Sequence, residues 1–341
     1  MNDGYSHFSS KVYLIIIFLF SIISIGCNNN KLKKNVSNIN VNITIERFDL
    51  ELNTIKNGNE IEKIVNLQEK YNNFFEIYIE KIINIGNTDN VSFITYLNLF
   101  LNDYAEIQAN KEVAAVFSKV NNIEKELNDG FKYLKYYYPN YEIPRIVTFT
   151  SGFNHSVVIL NDFIGIGLDK YLGEDCKLYE MLNIEKYLRF EMSPEFINID
   201  IMQIIAEDLF PNNIENKNLL SEIIYNGKIL YFINAMYPNI QDFRLNKYSK
   251  YQIEYCKKFE KDIWTGLIEQ KLLFNTDVFT IRKLTQKSPY TTQFGPDCPA
   301  RIVNWIGLQI VRSYMNNNAD VTLQKLMEEK DFQKILQLSQ Y

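Results

Sequence analysis

The chain has 341 residues, with 36 Lys and Arg against 41 Asp and Glu, for a formal charge of −5. That mildly acidic balance argues against a nucleic-acid partner, which demands clustered Lys and Arg against phosphates. Aromatic residues at 14% supply a large core, and the bias toward Asn, Ile, Lys and Tyr over Gly and Pro reads as an AT-rich genome.

The first element is a targeting segment. Lys11 is followed by the apolar run Val12-Tyr-Leu-Ile-Ile-Ile-Phe-Leu-Phe-Ser-Ile-Ile-Ser-Ile-Gly26, which stops at Cys27 before Asn28, Asn29, Asn30 and Lys31. A basic start, an apolar core and a small residue at the break make an export signal. The cysteine at the cleavage point is similar to that of bacterial lipoprotein signals, so residues 1–26 are expected to be removed and Cys27 lipidated. Ser24 stands where such signals usually carry an aliphatic residue. The run falls short of the roughly 20 apolar residues of a membrane span, which makes a transmembrane anchor the lesser reading.

Residues 27–42, rich in Asn and Lys and without apolar periodicity, read as a lipidated flexible tether. A single domain over 43–341 follows. The stretch Ile43-Thr-Ile-Glu-Arg-Phe-Asp-Leu-Glu-Leu52 alternates and predicts an opening strand. Helical spacing from Glu60, over 91–101 and over 113–137 predicts three or four amphipathic helices. Three runs dense in β-branched residues then predict a small sheet: Arg145-Ile-Val-Thr-Phe-Thr150, Ser156-Val-Val-Ile-Leu160 and Phe163-Ile-Gly-Ile-Gly-Leu168. Asn161-Asp162 stands at hairpin distance between the last two. Helices are predicted over 174–190, 194–209, 215–234, 249–273, 299–317 and 322–337. The fold class is α+β, mostly α-helical, with a small sheet at about 145–170 inside a helical body.

Few residues carry recognisable chemistry. Of two histidines, His7 leaves with the signal and His155 remains in Ser151-Gly-Phe-Asn-His-Ser156, where a polar turn residue is the ordinary reading. A site with two or three imidazoles is excluded, as is an H-E-x-x-H motif. There is no G-x-S-x-G elbow and no phosphate loop, and Gly165-Ile-Gly167 lacks the third glycine of a dinucleotide fingerprint. Two acidic clusters, Glu46/Asp49/Glu51 and Asp169/Glu174/Asp175, read first as solvated faces. Cys176, Cys256 and Cys298 match no zinc spacing, and their pairing is left open. No cofactor and no metal are expected.

Resemblance goes further than chemistry. Ile45-Glu-Arg-Phe-Asp49, Tyr136-Tyr-Tyr-Pro139, Phe149-Thr-Ser-Gly-Phe-Asn154 and Gly165-Ile-Gly-Leu-Asp-Lys-Tyr-Leu-Gly173 occur in that order. Tyr225-Asn-Gly-Lys-Ile-Leu-Tyr231, Arg301, Asn304-Trp-Ile-Gly307 and the closing Leu-Met-Glu-Glu-Lys-Asp-Phe-Gln-Lys-Ile-Leu336 follow. Together they resemble the gliding motility-associated lipoprotein family (GldB) of Bacteroidetes, across nearly the whole mature chain. The resemblance implies envelope residence, lipid anchoring, and a part in gliding and its secretion apparatus through contacts with other envelope proteins. In such lipoproteins acids after the lipid cysteine mark surface export. Residues 28–34 carry none, which implies a periplasm-facing anchor.

The order of sheet and helices is also similar to that of zincin (peptidase MA-like) enzymes, in a degenerate form. On that alignment only Glu207 of the active-site helix is kept, with Ala206 and Phe210 at the histidine positions and Asn226 where a glutamate ligand belongs. A peptidase-like scaffold without peptidase chemistry is expected. Tyrosines such as Tyr136-Tyr-Tyr138 and Tyr248, Tyr251 and Tyr255 are candidate hot spots for binding other envelope proteins, most of these rings being expected in the core. The alternatives are a metal-dependent hydrolase, or a glycan-binding outer-membrane lipoprotein, which would lean on helix-turn-helix repeats that this chain does not show.

Overall fold

The computed structural model describes residues 30–57, 60–160, 162–215 and 217–341. The signal, Cys27 and His7 lie outside the described residues. Contacts divide the chain after Lys34, and the body runs from Asn35 to Tyr341.

The sheet has four strands: β1 Ile45–Glu46, β2 Arg145–Phe149, β3 Val157–Ile159 and β4 Phe163–Gly167, in the spatial order β1-β2-β4-β3. β1 and β4 both run parallel to β2, with Ile45 opposite Ile146 and Val147 opposite Gly165. β3 turns back antiparallel on β4, Ile159 facing Ile164, as the hairpin reading of that stretch anticipates. The sheet is therefore mixed, and burial on both faces explains why β2 and β4 read as continuous apolar runs.

Among the described residues six α-helices precede β2: α1 Phe48–Asn53, α2 Glu60–Tyr71, α3 Asn73–Ile77, α4 Phe93–Leu101, α5 Tyr104–Val116 and α6 Asn121–Tyr137. Ten follow β4: α7 Lys177–Met181, α8 Lys186–Arg189, α9 Ile197–Leu209, α10 Leu219–Met236, α11 Asp242–Leu245, α12 Lys250–Glu269, α13 Val278–Thr285, α14 Ile302–Asn317, α15 Leu323–Glu328 and α16 Phe332–Ser339. The mostly helical α+β class holds. Among the described residues no helix is long and apolar enough to cross a membrane.

Several predicted elements break where a side chain competes for the backbone. The strand expected over 43–52 stops after two residues and α1 takes over. Phe48 turns inward there, its ring edge-on to Tyr71 at 5.0 Å and Tyr78 at 4.9 Å, while Asp49 is buried against Arg47 at 2.7 Å. The helix expected over 113–137 is two helices, because the Phe117 carbonyl leaves the ladder and accepts from Arg47 at 2.6 Å. Residues 174–190 hold only α7 and α8, separated by Asn183 in the left-handed region. The last predicted helix divides at 329–331, where Asp331 accepts from the Lys334 amide and caps α16. α11 and α13 are additions.

α10 is the central helix, apolar nearly all round, and packs on α6, α9, α14 and α16. Its crossing with α14 is backbone on backbone. A Cβ on Gly227 would lie 2.3 Å from the Gly307 carbonyl, and one on Gly307 would lie 1.9 Å from the Ile223 oxygen. Only glycine at both positions admits that approach.

The segment before β1 has no helix or strand but lies against the body. Val36 lines a cavity of about 350 Å³ with Tyr133, Tyr237 and Arg244. The Ile43 and Ile45 amides donate to Asn128 Oδ1 and Glu124 Oε1, each at 2.9 Å.

Candidate functional site

The acidic clusters resolve into separate structural roles. Glu46 pairs with Arg145 at 2.6 Å, Asp49 with Arg47, and Glu51 with Lys70 at 2.6 Å. Asp169 is fully buried, whereas Glu174 and Asp175 are exposed. Asp169 Oδ2 accepts the amides of Ser151 at 2.9 Å and Phe153 at 2.6 Å, which clamps the turn after β2. That turn needs a clamp, since Gly152 and Phe153 both sit at positive φ, 62° and 65°. Burial pushes the Asp169 carboxyl up to about 6 against the two amides that favour its charge, and Oδ1 has no partner among the described residues. His155 is half-buried in the same turn, its own amide donating to Ser151 Oγ at 3.0 Å.

On α9, Glu207 is exposed and accepts from Gln203 at 2.8 Å. Ala206 is in the core, and Phe210 packs between Tyr138 and Phe232 at 5.9 and 6.3 Å. Asn226 lines a small chamber with Gln203, Arg301 and Asn304. Among the described residues no three His, Cys, Asp or Glu side chains converge as metal ligands would. Cys256 and Cys298 are buried thiols and Cys176 a half-buried one. Tyr136 and Tyr251 are exposed, while Tyr248 is buried.

Two clefts gather polar groups. In one, of about 640 Å³, Glu191 meets Arg301 at 2.5 Å and Lys287 at 2.8 Å. Burial alone would raise the Glu191 carboxyl, but Arg301, Lys247 and Lys287 outweigh it and hold it below the usual range. Positive and negative groups are matched there before any ligand arrives.

The larger cleft, about 830 Å³, is of a different kind. It lies between the end of α9, the start of α10 and the α15–α16 turn, so three segments singled out in the sequence meet on it: the Glu207 helix, 225–231 and 326–336. Phe210, Leu220, Met327 and Phe332 give it apolar walls. Lys228 is 4% exposed, and its Nζ donates to the carbonyls of Met327 and Glu329, both at 2.8 Å. It also stands 5.6 Å from the centre of the Phe332 ring. These contacts tie the last carbonyls of α15 to α10, where a cation is favoured. Burial drives the Lys228 ammonium down to about 8, with Glu329 opposing. Among the described residues no carboxylate forms an ion pair with it, so its charge is met chiefly by the two carbonyl dipoles and the Phe332 ring, with Glu329 acting from farther off. Apolar walls around a buried lysine, with Tyr225 pushed up by burial and Glu329 held down by Lys334 on the same lining, make this cleft of ligand size the candidate site. Reading the sequence for acids and histidines passed over it. The available signal was a single lysine inside the otherwise apolar helix 219–236.

The family model described as gliding motility protein GldB matches residues 29–341. No curated protein and no solved structure matches. The chain belongs to the GldB family of gliding motility lipoproteins, which associates it with the cell envelope.

Proposed function

We propose that this member of the GldB family is a lipid-anchored envelope protein. It supports gliding motility and the associated secretion machinery by binding other envelope proteins, without catalysis of its own. The observation that carries the reading is the family match, which spans the body and begins two residues after Cys27. Residues 1–26 are then the signal and Cys27 the lipid attachment. Residues 28–34, free of acids, favour an anchor facing the periplasm.

The side chains on α9 support the non-catalytic part. Glu207 points to no convergent partner set, and its neighbours at the positions a peptidase would give to histidine are a core alanine and a packed phenylalanine. A general base with no ligated water beside it has nothing to activate. The scaffold is then peptidase-like in element order and spent as an enzyme.

Replacement of the chromosomal copy by Cys27→Ala and by Glu207→Gln tests both parts, read by envelope fractionation and by colony spreading in a gliding host. Cys27→Ala is expected to release the protein from the membrane fraction and abolish spreading, and Glu207→Gln to leave both intact. Retention of Cys27→Ala in the membrane would overturn the anchor. Loss of spreading with Glu207→Gln at normal abundance would move a hydrolase to first place.

A further inference from the structure

We propose that the Lys228 cleft binds a carboxylate carried on an apolar chain, the end of a partner polypeptide being the favoured source. The inference rests on the binding reading of the protein and names the chemistry of what it binds.

An ammonium has three N–H donors, and Lys228 spends two on the carbonyls of Met327 and Glu329. The residue is 4% exposed and no carboxylate among the described residues forms an ion pair with it, an arrangement that costs free energy until an anion arrives. Other buried cations in the body are already matched: Lys247 pairs with Asp200, and Arg301 with Glu191. Lys228 differs in lining an open cleft large enough for several residues of a ligand.

The acids near the cleft do not fill this role. Glu329 pairs with Lys334 at 2.5 Å, Asp331 caps α16, and Glu328 is exposed at the rim. The cleft is lined by Lys228 and Lys330 as well as by these three acids, Lys228 being its buried cation, and its apolar walls include Phe210, Leu220 and Phe332. A bare phosphate or a strongly hydrated ion would gain the charge but waste those walls. A carboxylate on an aliphatic or aromatic chain uses both, forming a charge-assisted hydrogen bond at its head and burying apolar surface behind it.

The test is calorimetric titration of the full mature chain, in detergent, with four probes: the peptide acetyl-Leu-Ile-Phe as free acid and as C-terminal amide, and octanoate against octanamide. The acid forms are expected to bind at least about tenfold more tightly than the matching amides, the ratio set by one charge-assisted bond. Stronger binding of the peptide acid than of octanoate supports a polypeptide source, and the reverse supports a fatty acid. Lys228→Met is expected to erase the acid preference and Lys228→Arg to retain part of it, each checked for an unchanged circular dichroism spectrum. Equal binding of acids and amides, or no binding of any probe at millimolar concentration, would overturn the proposal. These outcomes say nothing about Cys27, so a failed cleft and a failed anchor are distinguished.

Discussion

Two buried charges in this protein are treated in opposite ways. Asp169, at the end of the sheet, is enclosed completely and spends its carboxylate on two amides of a strained turn. Lys228, on the central helix, is almost as deeply buried but borders an open cleft and is met by two carbonyl dipoles and an aromatic ring. A buried charge that is closed in and bonded within its own fold holds a structure together. One that borders empty space, with its countercharge missing, is arranged for something that arrives later.

The contrast depends first on the stiffness of the helix that carries Lys228. Gly307→Ala would push a methyl to 1.9 Å from the Ile223 oxygen at the α10–α14 crossing. Loss of about 3 kcal/mol or more is expected in urea unfolding. A loss below about 1 kcal/mol would mean that α10 can shift, and that the cleft is softer than described.

Next comes the clamp itself. Asp169→Ala leaves the Ser151 and Phe153 amides buried without an acceptor, for a loss of about 3 kcal/mol. Asp169→Asn keeps an acceptor and is expected to lose less. Near-wild-type stability of the alanine variant would break the structural reading of Asp169.

The pH dependence separates the two charges by sign. The Asp169 carboxyl sits near 6 when folded, above the ordinary 3.8. Its contribution is full below about pH 4 and fades as pH rises through 6, a swing of about 3 kcal/mol that Asp169→Asn should flatten. Lys228 sits near 8, below the ordinary 10.5. Its charge opposes folding at neutral pH, so stability should rise between pH 8 and 10, and Lys228→Met should remove that rise. Urea midpoints from pH 4 to 10 report both limbs, and the same slope in wild type and variants would refute the assignments.

The smallest effect is local. Ser249 accepts from the Gln252 amide and caps α12, beside the charge-matched cleft, so Ser249→Ala should cost about 1 kcal/mol. It should leave acid binding at Lys228 unchanged. A change there would mean that the two clefts are coupled.

Much of the fold was legible. The β-branched runs gave three strands within a residue or two, because alternation and branching report directly on a pleated surface. Helices were misread where one long-range side chain intervened. Arg47 takes the Phe117 carbonyl 70 residues away and ends a helix, and Phe48 enters an aromatic cluster and curtails a strand. Periodicity within a window cannot register either. The export signal and its cysteine form one contiguous stretch that lies outside the described residues, whereas the candidate cleft is scattered along the chain and could not be read. Phe210, Lys228 and Phe332 acquire meaning only when three helices bring them together, and a lysine inside an apolar helix announces only that something must meet it.

The strap before β1 sets a distance. Read from composition, residues 27–42 would let the body range some 50 Å or more from its lipid. With Val36 lining its cavity and Ile43 and Ile45 bonded to α6, the residues from Val36 onward are held on the body, and under the proposed lipidation only the eight links between Cys27 and Asn35 remain to set the reach. Fully extended, these reach about 29 Å, on the order of the thickness of the bilayer's own hydrocarbon core. Under the proposed lipidation, a body moored at that distance would sample a thin shell above the membrane. Its effective concentration toward other membrane-held proteins is correspondingly high, and modest contact affinities suffice for durable assembly.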